Sequence, residues 1–394
     1  MRLALAIGLA LASLGLAALV LSNDSSIVTR GPANANASLN ALWDTVKDQS
    51  ADTAKLDAAA RQAHMTLHRE PLNSVAMSLI GTIKDREGGA KNAEALMNAA
   101  VSINHRENIA DLWLFDHLLA QRRYEPAFVR ADSLLRREAE FTTQLFPRLA
   151  SSLNDPEAAA PLAKRLAKGP AWRNVFTEKV IQSQPDPGVL FKLFSSIKDA
   201  KGTISPEELT GLLTRLVALG RFDEAYLDWI LFLPDGVTSK LSNVYDGDFD
   251  GMPDSKPFGW NFTDGASGLV EPPEDRNDPA LHVLYDGMVA RQFPSQLMVI
   301  PPGRYSLIGE VKSETPTSAG RMAWIVQCEG QPVVLATAPA PATGGQWRKF
   351  STDFVVPAGC PGQRLVLKGI TGDRRADINL WYDKLNVVPA GAAQ

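Results

Sequence analysis

The stretch "YDGDFDGMPDSKPFGWNF", Tyr245–Phe262, decides how the chain is read. Its first half places Asp246, Asp248 and Asp250 at alternate positions before Gly251, a spacing that can wrap carboxylates round a hard cation. A twelve-residue calcium loop needs a bidentate acid at its last position, and here that position is Pro257. Position eight is Pro253, and no amphipathic helices flank the loop. A strand reading accounts for more of the residues. Tyr245, Gly247 and Phe249 alternate against the three aspartates, and "FGWNF" follows as a further strand entry. The stretch is therefore expected to mark a domain boundary.

Downstream, from Leu241 to Pro389, helical spacing vanishes and Gly, Pro, Val, Thr and aromatics rise. "GRYSLIGEVKS", "MAWIVQCE", "WRKFSTDFVVP", "QRLVLKGI" and "INLWYDKLNVV" alternate apolar with polar residues between turn signals. Many short strands at such spacing predict an antiparallel sandwich. "VYDGDFDG", then "FGWNF" with Trp260, then "LWYDKLNVV" with Asp383, resembles in order the strands of jelly-roll carbohydrate-binding modules. The resemblance covers 241–389 and implies a glycan-binding sandwich. It also implies one structural Ca²⁺ where the first and last strands meet, with Asp248 or Asp250 and Asp383 as ligands. Solvated turn acids are the alternative. Sugars stack on exposed aromatic rings, and Trp260, Tyr285 and Trp381 are the candidates. Trp324 and Trp347 sit within apolar alternation and are expected in the core.

Upstream, 39–234 reads as helices. Apolar residues recur at three and four, and breaks fall at Gly88-Gly89, Asp155-Pro156, Gly169-Pro170 and "QPDPG". A period of 34 aligns Ala76 with Ala110, Ile80 with Leu114, Ala93 with Ala127 and Ala100 with Leu134. "RRYEPAF" and "GRFDEAY" share a turn-aromatic-x-x-Ala core, with Tyr124 and Phe222 as the aromatics and Ala127 and Ala225 as the small residues. This resembles the tetratricopeptide repeat and implies a stacked solenoid with a concave surface for a protein partner. An irregular helical bundle is the alternative.

Before the helices, Arg2 precedes an uncharged run, Leu3–Leu21, of a length that spans a bilayer core as a helix. It reads as a signal anchor or signal peptide over 1–22, followed by a linker over 23–38 rich in Asn, Ser and Ala. Either reading exports the body, into the periplasm, anchored to the inner membrane or released by cleavage. Cys328 and Cys360 are the only cysteines, and in an exported domain they are expected to bond; two buried thiols are the alternative.

The chain of 394 residues carries a net charge of −4 and no long basic run, so nucleic acid is not an expected partner. There is no Gly-x-Ser-x-Gly and no phosphate-binding glycine loop. His64 and His68 share a helical face without a third metal ligand at fixed spacing. With 44 acids in the chain, a hydrolytic carboxylate pair cannot be picked out. The fold expected is multidomain: a membrane segment, an all-α repeat solenoid, then an all-β jelly-roll sandwich. The function expected is a non-catalytic exported scaffold that binds a protein and a polysaccharide, of the bacterial exopolysaccharide or capsule type. No cofactor beyond calcium is implied. An assembly factor with a protein-binding sandwich and a polysaccharide-modifying enzyme are the alternatives.

Overall fold

The computed structural model describes residues 32–48, 50–234, 236–238, 241–251, 257–262, 268–315 and 320–391. The expected membrane segment lies outside the described residues. Among those described, no helix is long and apolar enough to cross a membrane. The chain divides into two units, Met1–Leu145 and Phe146–Gln394.

The first unit is helical: α1 Pro32–Asn40, α2 Trp43–Lys47, α3 Thr53–Arg69, α4 Ser74–Arg86, α5 Ala90–Ile103, α6 Asn108–Ala120 and α7 Tyr124–Arg137. The linker expected over 23–38 is cut short by α1. Proline is favoured at a first helical position, and Leu39 then buries with Trp43, Val46, Leu79 and Ile83. Side chains cap the next starts: Asp52 accepts from the Lys55 N–H and Asn73 from the Ala76 N–H. The 34-residue offset reappears in the elements, because α4 and α6 begin 34 residues apart, as do α5 and α7. Ala76, Ala93, Ala110 and Ala127 are all buried. A small residue at each of these positions lets neighbouring backbones close up.

The division between units falls within α8, Thr142–Ser152, and not at the helix-to-strand switch near residue 235. The remaining helices, α9 Ala159–Leu166, α10 Arg173–Ser183, α11 Pro187–Asp199, α12 Pro206–Ala218 and α13 Phe222–Phe232, group with the strands. An aromatic cluster shows why. Trp229 on α13 meets Tyr245 edge-on at 5.0 Å and Phe258 at 5.1 Å, and Tyr226 meets Phe258 at 5.4 Å. The last helix is thus packed onto the stretch that opens the sandwich.

Among the described residues nine strands follow, β1 Gly268–Glu271, β2 Ala280–Tyr285, β3 Arg291–Met298, β4 Gly303–Ser313, β5 Met322–Cys328, β6 Val334–Pro339, β7 Arg348–Val356, β8 Gln363–Gly369 and β9 Ile378–Pro389. They form two antiparallel sheets, β1-β2-β9-β4-β7 and β3-β8-β5-β6. The inward residues Leu281, Val283, Leu307, Trp324, Leu365, Leu380 and Tyr382 fill the space between them. Cys328 ends β5 and Cys360 precedes β8, and the two are bonded.

Tyr245–Gly251 corrects one expectation. It is a run of turns, not a strand, and Asp246 and Phe249 take left-handed backbone angles, φ 53° and 54°. The reason is a close approach. Gly247 lies against β9 so tightly that a Cβ there would sit 1.9 Å from the Leu385 carbonyl oxygen. The Leu385 N–H donates to the Gly247 carbonyl at 3.0 Å, and Asn243 donates to the Val387 carbonyl at 2.7 Å. The opening segment and the last strand therefore do meet, through turns.

Candidate functional site

Along a strand, alternate residues face opposite sides. With Leu281 and Val283 inward on β2, His282 faces outward; with Leu380 and Tyr382 inward on β9, Trp381 faces outward. The registers place His282 opposite Trp381, and Trp381 opposite Lys312 of β4. Val311 pairs with Arg348 of β7, so the preceding residue, Trp347, falls beside Lys312. A row His282–Trp381–Lys312–Trp347 thus crosses the outer face of the five-stranded sheet.

The row is held by charge and hydrogen bonds. The His282 ring stacks on Trp381 at 3.9 Å, 2° from parallel. Both its nitrogens face oxygens, Glu271 Oε1 at 2.6 Å and Asn379 Oδ1 at 2.8 Å. Asn379 and the Trp381 indole both donate to Glu314 at 3.0 Å. Beside Glu314 opens a cavity of about 470 Å³, lined by Ser313, Thr315, Thr343 and two glycines.

The loop between β1 and β2 lies over the far end of the row. Asp275 pairs with Lys312 at 3.1 Å and accepts from the Trp347 indole at 3.4 Å. The Arg276 guanidinium lies 3.9 Å from the Trp347 ring centre and bonds Asp383 at 2.9 Å and Glu310 at 2.7 Å. Burial pushes the Asp383 carboxyl above the usual range. Burial acts on Glu310 in the same sense, but Arg276 and Lys384 outweigh it and hold that carboxyl low.

The residues singled out from sequence fare unequally. Trp381 stands in the outer row but is buried, 5% exposed beneath the His282 ring, with its indole fixed by Glu314. Trp260 is in the core, stacked on Phe249 at 5.2 Å and donating to the Asp246 carbonyl, and it presents no ring to solvent. Tyr285 packs edge-on against Phe293 and donates to the Val289 carbonyl. Its parity with Leu281 and Val283 carries its ring inward. Trp324 fills the core as expected. Trp347, expected there too, is half-buried on the outer face. Phe350, Phe354 and Val356 point inward on β7, so the odd-numbered parity of Trp347 was the signal that places it outside. Asp248 and Asp250 are exposed, and Asp383 is buried against Arg276. Among the described residues no group of three His, Cys, Asp or Glu is placed to hold a metal ion. Asp383 has a guanidinium as its cation.

No family model and no curated protein sequence matches the chain. Solved structures do show likeness. A CBM4 structure matches at 14% identity and a TM-score of 0.29, over 37% of this chain and 99% of that one. A Family 16 Carbohydrate Binding Module-2 matches at 17% identity and 0.28, over 37% and 99%. TmCBM61 in complex with β-1,4-galactotriose matches at 14% identity and 0.29, over 38% and 99%.

Proposed function

We propose that the β-sandwich binds a polysaccharide along the outer row of its five-stranded sheet. The observation that carries this reading is the half-buried Trp347 ring on the outer face, beside a row in which His282 covers the buried Trp381 and carboxylate, amide and ammonium groups lie between. An indole presents a flat apolar face to the C–H side of a sugar ring, and neighbouring acceptors and donors take its hydroxyls. In this reading Trp347 supplies the stacking face that Arg276 leaves open. Glu314 and the hydroxyls of its cavity bind one end of the chain. The Glu271–His282–Asn379–Glu314 series holds Trp381 in one orientation, so little ordering is left to occur on binding.

The helical repeats display a surface for a protein partner, and the whole is an exported, non-catalytic scaffold in exopolysaccharide or capsule production. This wider part rests on the uncharged N-terminal run and on the repeat period. Retardation of the full chain in native gels containing xylan, galactan or mixed-linkage glucan tests the binding. Trp347→Ala is expected to weaken retardation about tenfold, equivalent to about 1.4 kcal/mol, while the far-ultraviolet spectrum and melting temperature stay near the parent's. Unchanged retardation in Trp347→Ala, or none by the parent with any polymer, refutes this site.

A further inference from the structure

His282 on Trp381 is the closest ring contact among the described residues, and hydrogen-bond accounting fixes the form of the imidazole that makes it. The Asn379 amide nitrogen donates to Glu314 at 3.0 Å, and a carboxylate only accepts. That turns the Asn379 carbonyl oxygen toward His282 Nε2, 2.8 Å away. Nδ1 faces Glu271 Oε1 at 2.6 Å. Two acceptor oxygens thus face the two ring nitrogens. A neutral imidazole has one N–H and one lone pair, so one of these contacts would set a lone pair against an oxygen. The imidazolium donates to both. It is also a cation lying flat on an indole, the ring that holds a cation best. Flipping the Asn379 amide would break its bond to Glu314, so the mismatch is not relieved there.

The same contact hides Trp381. Its ring faces outward from β9 yet is buried, with His282 lying over one face. The charged groups that face this stack are Glu271 from β1, Lys312 from β4 and Glu314 just beyond β4. Lys312 is paired with Asp275. On the other side of His282, Leu269 of β1 stands opposite it in register and is 59% exposed, so the sheet edge leaves room for the ring to move. We infer that His282 is a proton-controlled cover on a second sugar-stacking platform. As the imidazolium it lies on Trp381 and closes it; once a ring proton passes to solvent it swings toward the edge at Leu269 and opens the indole. Trp381 and Trp347 are then two strand spacings apart, roughly 9–10 Å, with Lys312 between them. The inference rests on the glycan-binding reading above. It adds a platform to that row and gives the row a direction with pH, binding tightening as pH rises.

The test follows tryptophan emission and polymer affinity of the full chain from about pH 5 to about pH 9, a range that brackets the charge change of a histidine. An imidazolium in contact with an indole quenches its emission. Trp113 carries a similar stack with His117, so emission is read as the difference between the parent and His282→Ala. That difference is expected to collapse as pH rises. Glu271→Gln is expected to move its midpoint to lower pH, a shift that packing alone would not produce. Affinity of the parent for xylan, galactan or mixed-linkage glucan is expected to rise about fivefold over the same range, and His282→Ala to hold the high value at every pH. An emission difference that is constant with pH, or a parent affinity that is flat or falls, overturns the switch and leaves glycan binding standing. Weaker binding by His282→Ala at alkaline pH shows that the imidazole is itself the platform and overturns the cover. No binding by parent or variants at any pH, with the emission step present, overturns the glycan reading and the platform with it.

Discussion

Burial and neighbouring charge set a few single carboxylates of this protein apart from ordinary surface acids. Asp228 on α13 is buried, with Oδ2 unpartnered. Burial, then repulsion from Glu224, push it from the ordinary 3.8 up to about 6 against the opposing pull of Arg221. A raised carboxyl binds its proton more tightly in the folded chain than in the unfolded one. Its penalty is therefore absent below about pH 4, where both states are protonated, and full above about pH 6. Asp228→Asn should melt alongside the parent at pH 4 and stand higher at pH 7.5, by on the order of 2 kcal/mol. Thermal melts across that range check it. Arg276 presents the opposite case, a cation between Asp383 and Glu310. Arg276→Gln leaves two partly buried carboxylates facing each other, a loss of about 3–5 kcal/mol at neutral pH. The deficit in melting temperature should shrink as acid protonates Asp383, whose carboxyl is already raised. Neither role was legible in the sequence. Arg276 sits in "EPPEDRND", a stretch that looks like any solvated loop, and its partners lie 34 and 107 residues away.

At the scale of elements, what sequence showed and what it hid divide along one line. Local periodicity gave the helices, their 34-residue offset and most strands, because each depends on neighbours within a few residues. Parity within a strand was also present in the sequence, and it corrects two expectations: Phe350 and Phe354 inward put Trp347 outside rather than in the core, and Leu281 inward puts Tyr285 inside rather than exposed. The turns at Tyr245–Gly251 were hidden, since alternation of apolar residues mimics a strand while the actual cause is β9 pressing on Gly247. Gly247→Ala should therefore cost about 1–3 kcal/mol through forced displacement of the last strand. Differential scanning calorimetry would show it as a lowered transition, whereas Gly359→Ala, with open space at its Cβ, should shift it little. The left-handed turn before α7 follows the same logic. Arg122, φ 59°, occupies the position that Gly88, φ 81°, holds one repeat earlier. The repeat thus preserves the backbone shape even where it changes the residue.

Within the second unit two long-range fastenings stand out among the described residues, the Cys328–Cys360 bond and the junction of residues 243–247 with β9. The bond closes a loop with a sequence separation of 32, which by the chain-entropy model contributes about 3–4 kcal/mol. Reduction should lower the sandwich's melting temperature measurably, while the helices of Met1–Leu145, which form a separate unit, keep theirs in hydrogen-exchange profiles. The aromatic seat of α13 predicts cooperation in the other unit. Trp229→Ala should loosen strands and helices together, at about 3–5 kcal/mol. The second fastening has a mechanical meaning. Asn243 meets Val387 and Gly247 meets Leu385, so the sandwich's entrance and exit run side by side in opposite directions. Tension between residues 241 and 389 would load those bonds one after another and unzip them at low force. Tension between residue 241 and the body of the five-stranded sheet would cross the same bonds, because β9 is at once the exit strand and the partner of the entrance.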